Sequence, residues 1–387
     1  MTSPFPELSF SHARVLVVED SEVNRRLLEA LLRSAGVGHI LCAADGREGL
    51  KLAAIFLPDL IVLDLMMPHM DGFEMCRRLR ADPAFAEVPV LIQTALDSAD
   101  KRGDIFAIGA TDLVTKPLHA RELVARVRLH LHNRFLIRRL REDQARLEQE
   151  LALARQMQQD LLPSPARIAA LQDETGVVIE SLFETSSELG GDLWGMERLP
   201  QGRIALFTVD FCGHGTTAAL NVFRLHTLMA QIEPEGMDAA GHLGRLNSAL
   251  AGLLPVGQYA TMLYAILDPA EDRLVYAAAA APSPILGGPE GWQPLDGSGL
   301  PLGVLKSAAW ENRSHSFPQG SALFLYSDAL TESPMGESGA MLGEERILTL
   351  LPATGGEARL DSILGPVLSS IHRPLPDDLT AVLLCRP

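Results

Sequence analysis

Between His119 and Pro163 the chain runs without a glycine or an internal proline, and this stretch constrains every other assignment. Leu136, Leu140, Leu147, Leu151, Ala154 and Leu161 recur at three-, four- or seven-residue steps, with an eleven-residue step linking Leu140 to Leu151. Arg, Glu and Gln fill the remaining positions, so the pattern predicts a long helix that seeks a partner helix. Such a helix reaches roughly 60 Å at about 1.5 Å per residue, and Pro163 and Pro165 end it. Nine arginines and no lysine stand against six acids here, which reads as a solvated helix face rather than a nucleic-acid patch.

The helix divides two blocks of different pattern, and 387 residues are too many for one ordinary core. Cys42, Cys76, Cys212 and Cys385 are scattered, without a CxxC or metal-ligand spacing, and read as small buried residues in a reducing cytoplasm. Met1 to His12 lacks the basic region and apolar run of a secretion signal, and no stretch has the ~20 apolar residues of a membrane span. Cytoplasmic placement without membrane insertion is the expectation. A net charge of −16 argues against nucleic acid as a partner, because phosphates are neutralised by basic side chains.

In the first block short apolar runs alternate with helical patterns five times: Val15 to Val18, Ile40 to Ala43, Leu60 to Leu63, Val90 to Ile92, and Leu113 to Val114 are the runs. That alternation predicts a five-stranded, doubly wound parallel sheet, whose chemistry gathers beyond the carboxyl ends of its strands. Glu19, Asp20, Asp64, Thr94 and Lys116 all fall there. Three carboxylates at one edge repel unless a cation bridges them, and hard oxygen ligands suit Mg²⁺. A lysine and a hydroxyl beside them suit a phosphoryl group.

Val17-Val18-Glu19-Asp20, Asp64-Leu65-Met66-Met67-Pro68 with Asp71-Gly72, Gln93-Thr94-Ala95 and Thr115-Lys116-Pro117 resemble the receiver domain of two-component response regulators. The resemblance implies that Asp64 accepts the phosphoryl group from a sensor histidine kinase, and that Glu19, Asp20, Asp64 and the Met66 carbonyl hold Mg²⁺. It also implies that Thr94 and Lys116 contact the phosphoryl oxygens and that the Lys116-Pro117 bond is cis. One departure is Leu113, read as a buried strand residue where receivers usually carry Tyr or Phe.

After Pro163 the order changes to strands, then helices, then strands: Val177 to Leu182, Ile204 to Val209, helices near Thr217 to Ile232 and Leu243 to Leu254, then Thr261 to Leu267, Leu274 to Ala279, Leu323 to Tyr326 and Ala381 to Leu384. Two antiparallel sheets covered by helices, an α-β-β-α sandwich, satisfy this order. Asp192, Asp210, Asp328 and Asp377-Asp378 stand at strand boundaries. Carboxylates gathered without lysines point to divalent metal.

Ala154-Arg155-Gln156 through Leu161-Leu162-Pro163, Gly190-Gly191-Asp192, Asp210-Phe211-Cys212-Gly213-His214-Gly215, Gly299-Leu300-Pro301-Leu302-Gly303, Ser327-Asp328-Ala329-Leu330-Thr331-Glu332 and Asp377-Asp378-Leu379-Thr380 resemble the PPM-type serine/threonine phosphatases, in their bacterial sporulation and stress-response branch. The resemblance implies that Asp192, Asp210, Asp328, Asp377 and the Phe211 carbonyl ligate two Mn²⁺ or Mg²⁺ ions, with Asp210 and Asp328 central to catalysis. His214 is either structural or the proton donor to the leaving oxygen. Three positions depart from the branch: Gly195 stands where a second Asp is usual, Ala329 replaces a usual Gly, and Ala279-Ala280-Ala281 replaces Ala-Gly-His.

The expected organisation is a receiver over 13–130, a coiled-coil connector over 131–163 that makes a homodimer, and a phosphatase domain over 164–387. The expected function is a response regulator whose phosphorylation controls a metal-dependent phosphatase. By resemblance, its substrate is a phosphorylated anti-sigma-factor antagonist. The alternative is a phosphorylation-gated binding scaffold with a weak or inactive phosphatase fold.

Overall fold

A computed structural model of the chain describes residues 10–95, 99–213, 215–335, 340–371, 373 and 375–387. It separates into two compact units, 1–147 and 148–387. The division falls inside one helix, so the connector expected over 131–163 contributes to both units.

The first unit alternates β1 (Arg14–Val18), α1 (Glu22–Ser34), β2 (His39–Ala43), α2 (Gly46–Phe56), β3 (Leu60–Asp64), α3 (Gly72–Ala81), β4 (Val90–Thr94), α4 (Ala99–Ala107) and β5 (Asp112–Thr115), and leads into α5 (Ala120–Gln159). The strands lie parallel in the order β2-β1-β3-β4-β5. Central β3 and β4 are buried at every position, as near-continuous apolar runs in a sheet covered on both faces require. Two cores flank the sheet, one around Leu63, Met75 and Ile92, the other around Val62, Leu91 and Val127. Ser21, Asp45 and Asp71 cap α1, α2 and α3 by accepting from backbone N–H groups of the first turn. Leu113 corrects one expectation: it is only half-buried, because β5 is an edge strand.

Helix α5 is 40 residues long. Its first part is bound to the first unit, where Arg126 and His130 pair with Asp112, Arg138 with buried Asp59, and Arg141 with Glu87. Leu136, Leu140 and Leu147 are exposed and Leu151 and Ala154 half-exposed, so the apolar seam read from the sequence lies largely open to solvent.

The second unit contains α6 (Pro165–Thr175), β6 (Val178–Glu184), β7 (Asp192–Arg198), β8 (Ile204–Phe211), α7 (Thr216–Gln231), α8 (Ala239–Leu250), β9 (Ala260–Asp268) and β10 (Arg273–Ala279). It continues through β11 (Ile285–Gly288), β12 (Gly291–Pro294), β13 (Arg313–Ser316), β14 (Ala322–Tyr326), α9 (Asp328–Glu332), β15 (Pro334–Met335), β16 (Ala340–Met341), α10 (Glu344–Leu350), α11 (Leu360–Leu368) and β17 (Leu379–Cys385). Sheets β13-β10-β9-β8-β7 and β12-β11-β14-β17-β6 are antiparallel.

One core, with Trp194, Leu263, Leu325 and Val382, joins the sheets face to face. A second packs α7 and α8 on the β7–β10 face, and a third packs α10 and α11 on the β14–β17 face. This is the α-β-β-α sandwich expected from the sequence. Strands β7 and β11 to β13 and helices α9 to α11 were not in that expectation. They are short or, for β7, interrupted by Gly195, so their periodicity is weak.

Candidate functional site

In the first unit the predicted acids do converge. Glu19, Asp20 and Asp64 bring ligand oxygens within 4.8 Å of one another, and among the described residues no other acidic, His or Cys group does so. Lys116 Nζ lies 2.9 Å from both Glu19 Oε2 and Asp64 Oδ2. Asn24 Nδ2 also donates to Glu19, at 3.0 Å. Burial raises the Asp64 pKa, and the neighbouring Glu19 charge adds to this against the opposing hydrogen bond from Lys116.

The backbone around Asp64 is set by close approach. A Cβ on Gly72 would lie 2.2 Å from the Asp64 carbonyl oxygen, so only glycine permits the β3–α3 loop to close here. Thr94 is buried at the end of β4, its carbonyl accepts from Lys116 N–H at 2.8 Å, and the Lys116-Pro117 bond is cis. Met66 is exposed beside the cluster in sequence. An Mg²⁺ ion fits this donor set of clustered, partly buried carboxylate oxygens.

In the second unit Asp192, Asp210 and Asp328 line one cavity of about 260 Å³. Asp192 and Asp210 face each other across β7 and β8, and Asp328 opens α9 after β14. Thr380 Oγ1 donates to Asp192 at 2.6 Å. Among the described residues no lysine or arginine lines the cavity, whereas Glu332 and Glu344 do. Burial, then the charges of Asp328 and Asp377, push the Asp210 pKa up to about 7. Asp192 is raised well above the carboxylate range by burial and Asp210, and Asp328 is raised by burial, Glu332 and Asp377. Buried carboxylates that raise one another's pKa, without a cationic side chain, fit divalent ions as their missing countercharge.

Asp377 does not line the cavity but stands close enough to act on Asp210 and Asp328. The Phe211 carbonyl lies against Gly191, and His214 lies outside the described residues.

Two residues to which the sequence reading gave no site role hold the Gly190-Gly191 loop that delivers Asp192. Asp378, buried, accepts from Gly191 N–H at 2.6 Å and from Ser186 N–H at 2.7 Å. A Cβ on Gly190 would lie 2.6 Å from the Asp378 carboxylate, which explains a glycine there. From the other side Gln158, only 1% exposed near the end of α5, brackets Gly190: its Nε2 donates to the Gly190 carbonyl at 2.7 Å and its Oε1 accepts from Gly190 N–H at 3.1 Å. The adjacent Asp377-Asp378 pair was the available signal for the first; Gln158, one of several glutamines, gave none.

The departures resolve differently. Gly195 is on the helix-facing side of β7, opposite to Asp192, and a Cβ there would meet the Phe207 ring at 2.4 Å. A side chain at 195 would therefore not enter the cavity. Ala329 lies in α9 with no positive φ, so glycine is not required. Ala280 has φ +56°, in the region glycine favours, and Ala281 lines the cavity.

Comparisons with known proteins fall on either side of the division between the two units. Residues 15–128 match the family described as the response regulator receiver domain, and residues 200–387 match Stage II sporulation protein E (SpoIIE). The chain joins a receiver domain to a SpoIIE-type phosphatase domain. The receiver domain is 46% identical over 133 residues to the response regulator PleD of Caulobacter vibrioides, covering 34% of this chain and 29% of PleD. It is 43% identical over 115 residues to the DNA-binding dual master transcriptional regulator RpaA of Synechocystis sp., covering 30% of this chain and 47% of RpaA. The chain thus spans less than half the length of either relative. The phosphatase domain shares its fold with the SiaA-PP2C domain of Pseudomonas aeruginosa, at TM-score 0.55 and 19% identity, over 63% of this chain and 98% of that one. Among the described residues no helix is long and apolar enough to cross a membrane.

Proposed function

We propose that this is a response regulator in which phosphorylation of Asp64 by a sensor histidine kinase controls hydrolysis of a phosphoserine or phosphothreonine protein by the phosphatase domain. The observation that carries it is the cavity of Asp192, Asp210 and Asp328, which among the described residues no lysine or arginine lines. Those three residues and Asp377 would hold two Mn²⁺ or Mg²⁺ ions, with the Phe211 carbonyl as a further ligand. When bound, the ions supply a water of lowered pKa and positive charge for the phosphoryl oxygens. Asp378 and Gln158 hold the Gly190-Gly191 loop, and hence Asp192, in place. Thr380 orients the Asp192 carboxylate.

In the receiver, Asp64 is the phosphoacceptor, Glu19, Asp20 and the Met66 carbonyl complete the Mg²⁺ site, and Lys116 and Thr94 contact the phosphoryl group. The resemblance makes an anti-sigma-factor antagonist the substrate and the cytoplasm the location. The functional parts are a receiver over 13–130, a connector over 131–163 and a phosphatase domain over 164–387, with two copies paired through the connector's exposed leucines. The scaffold alternative has one supporting observation, the Ala281 side chain in the cavity; the Gly195 departure does not favour it, since that position faces away.

Mn²⁺-dependent hydrolysis of p-nitrophenyl phosphate, lost in Asp210→Asn, tests the enzyme against the scaffold. Coupling is tested by insertion between Asp143 and Glu148. Seven added residues preserve a 3.5-residue seam and the response to phosphorylation, whereas two rotate it by about 200° and uncouple the domains. Equal responses from both insertions would indicate a monomeric tether.

A further inference from the structure

Beside the cavity the phosphatase domain carries an apolar face that the mechanism does not use. Leu220, Leu253, Val256, Tyr259, Val304 and Leu305 are all exposed, Val256 completely. Contiguous exposed apolar side chains of this number mark an interaction site more often than chance surface.

The face is built rather than loose. Buried Asn221 donates to Gln258 Oε1 and accepts from Arg224, which also donates to the Leu253 carbonyl, so the loop after α8 is fixed to α7. Buried Asn247 donates to the Leu305 and Lys306 carbonyls and accepts from Gly303 N–H, which fixes the loop over 303–306 to α8. Its edge reaches the cavity: the Tyr259 carbonyl accepts from Cys212 N–H, two residues beyond Asp210, and Thr261, two residues beyond Tyr259, lines the cavity wall.

Charge indicates what covers this face. The segments that build it, 211–232, 239–267 and 297–310, contain no aspartate or glutamate, in a chain with 49 acids and a net charge of −16. Arg224 and Lys306 are exposed there, and among the described residues neither has an acid partner. A basic-rimmed, acid-free apolar surface adjoining a phosphatase cavity complements an acidic partner with apolar side chains.

We propose that this face docks the substrate, an acidic phosphoserine protein, and presents its phosphoserine to the cavity. The proposal rests on the phosphatase reading and adds to it the class of substrate and the surface that selects it.

The test uses the full chain, the Val256→Glu/Val304→Glu double variant, and β-casein as an acidic phosphoserine protein. Both substituted side chains are exposed and outside the cavity, so p-nitrophenyl phosphate hydrolysis is unchanged. The kcat/KM for β-casein dephosphorylation falls at least about tenfold, mainly through KM. Binding is measured independently by fluorescence anisotropy of labelled β-casein in the Asp210→Asn background, where the double variant binds at least about tenfold more weakly. Equal affinities, or no casein binding by the parent, would overturn the proposal. A parent mass of two chains that falls to one in the double variant would also overturn it, by assigning the face to a second copy. If neither phosphoester is hydrolysed but casein binding is still lost in the double variant, docking stands and the phosphatase reading fails.

Discussion

The receiver site and the phosphatase cavity are both clusters of carboxylates at strand ends, and they handle the same electrostatic problem in different ways. The receiver supplies part of its own countercharge: Lys116 lies 2.9 Å from each of two acids. The cavity supplies none among the described residues, and burial with repulsion from neighbouring carboxylates raises all three of its aspartates. A site with a built-in cation suits a carboxylate that must itself react and then carry a phosphoryl group. A site without one suits divalent metal ions, which can also activate a water for hydrolysis. On the proposed function, charge balance is what distinguishes the phosphoacceptor site from the hydrolytic one.

Substitutions in each site test this difference in charge balance. Asp210→Asn lowers turnover by at least about 1,000-fold, and Asp328→Asn by at least about 100-fold, since charge-stabilising groups at a reacting phosphate carry several kcal/mol. In the metal-free protein, Asp210→Asn relieves repulsion and raises the melting temperature. It also removes the further rise that Mn²⁺ gives the parent. Differential scanning calorimetry with and without Mn²⁺ reads both effects, and a metal-free variant that melts lower than the parent would contradict the charge argument.

The phosphatase domain also carries a buried group that responds to acid. His242, buried under α8 against the Tyr264 ring with no hydrogen-bond partner on either ring nitrogen, has its pKa lowered to about 4 by burial and then by Arg245. An unfolded histidine titrates near 6.5, so between those values the unfolded state binds the proton and the folded state does not. The contribution of His242 to stability is thus full above pH ~6.5 and falls by about 3 kcal/mol as pH drops to about 4. Urea unfolding of His242→Gln across that window should show a shallower slope than the parent. An identical slope would remove His242 from the account.

Lys116→Met acts on the receiver in the direction opposite to Asp210→Asn. It leaves Glu19 and Asp64 without their cation and destabilises the Mg²⁺-free receiver by about 2 kcal/mol, an effect that Mg²⁺ reverses. Gln158→Ala removes both bonds to Gly190 and lowers Mn²⁺ affinity or turnover by about tenfold, since paired buried hydrogen bonds contribute about 1 kcal/mol or more. Its fold, read by circular dichroism, stays intact. The smallest effect is Ala280→Gly, which relieves a left-handed alanine and stabilises by about 1 kcal/mol in chemical denaturation.

Legibility in the sequence followed the same division. The receiver was readable almost in full, because a parallel sheet announces itself by continuous apolar runs and each polar exception marks a strand end. In the phosphatase domain the strands that carry Asp210 and precede Asp328 were legible for the same reason. Strand β7 was not, because Gly195 yields its volume to the Phe207 ring and breaks the alternation that marks a strand. Gln158 was invisible for another reason: its neighbours on α5 are mostly exposed polar residues, and only tertiary contact distinguishes it. Position 195, where an acid is usual in the branch, lies on the face of β7 opposite to Asp192, which only strand pairing shows.

The central claim is that a receiver phosphorylated on Asp64 controls a metal-dependent hydrolase. It is tested most directly by the Mn²⁺-dependent rate of p-nitrophenyl phosphate hydrolysis by the full chain, before and after treatment with acetyl phosphate and Mg²⁺. The account predicts hydrolysis that requires Mn²⁺ and Asp210, with a rate that changes at least about threefold on phosphorylation in the parent and not at all in Asp64→Asn. Hydrolysis that survives chelation, or a rate equally altered by acetyl phosphate in Asp64→Asn, would contradict it.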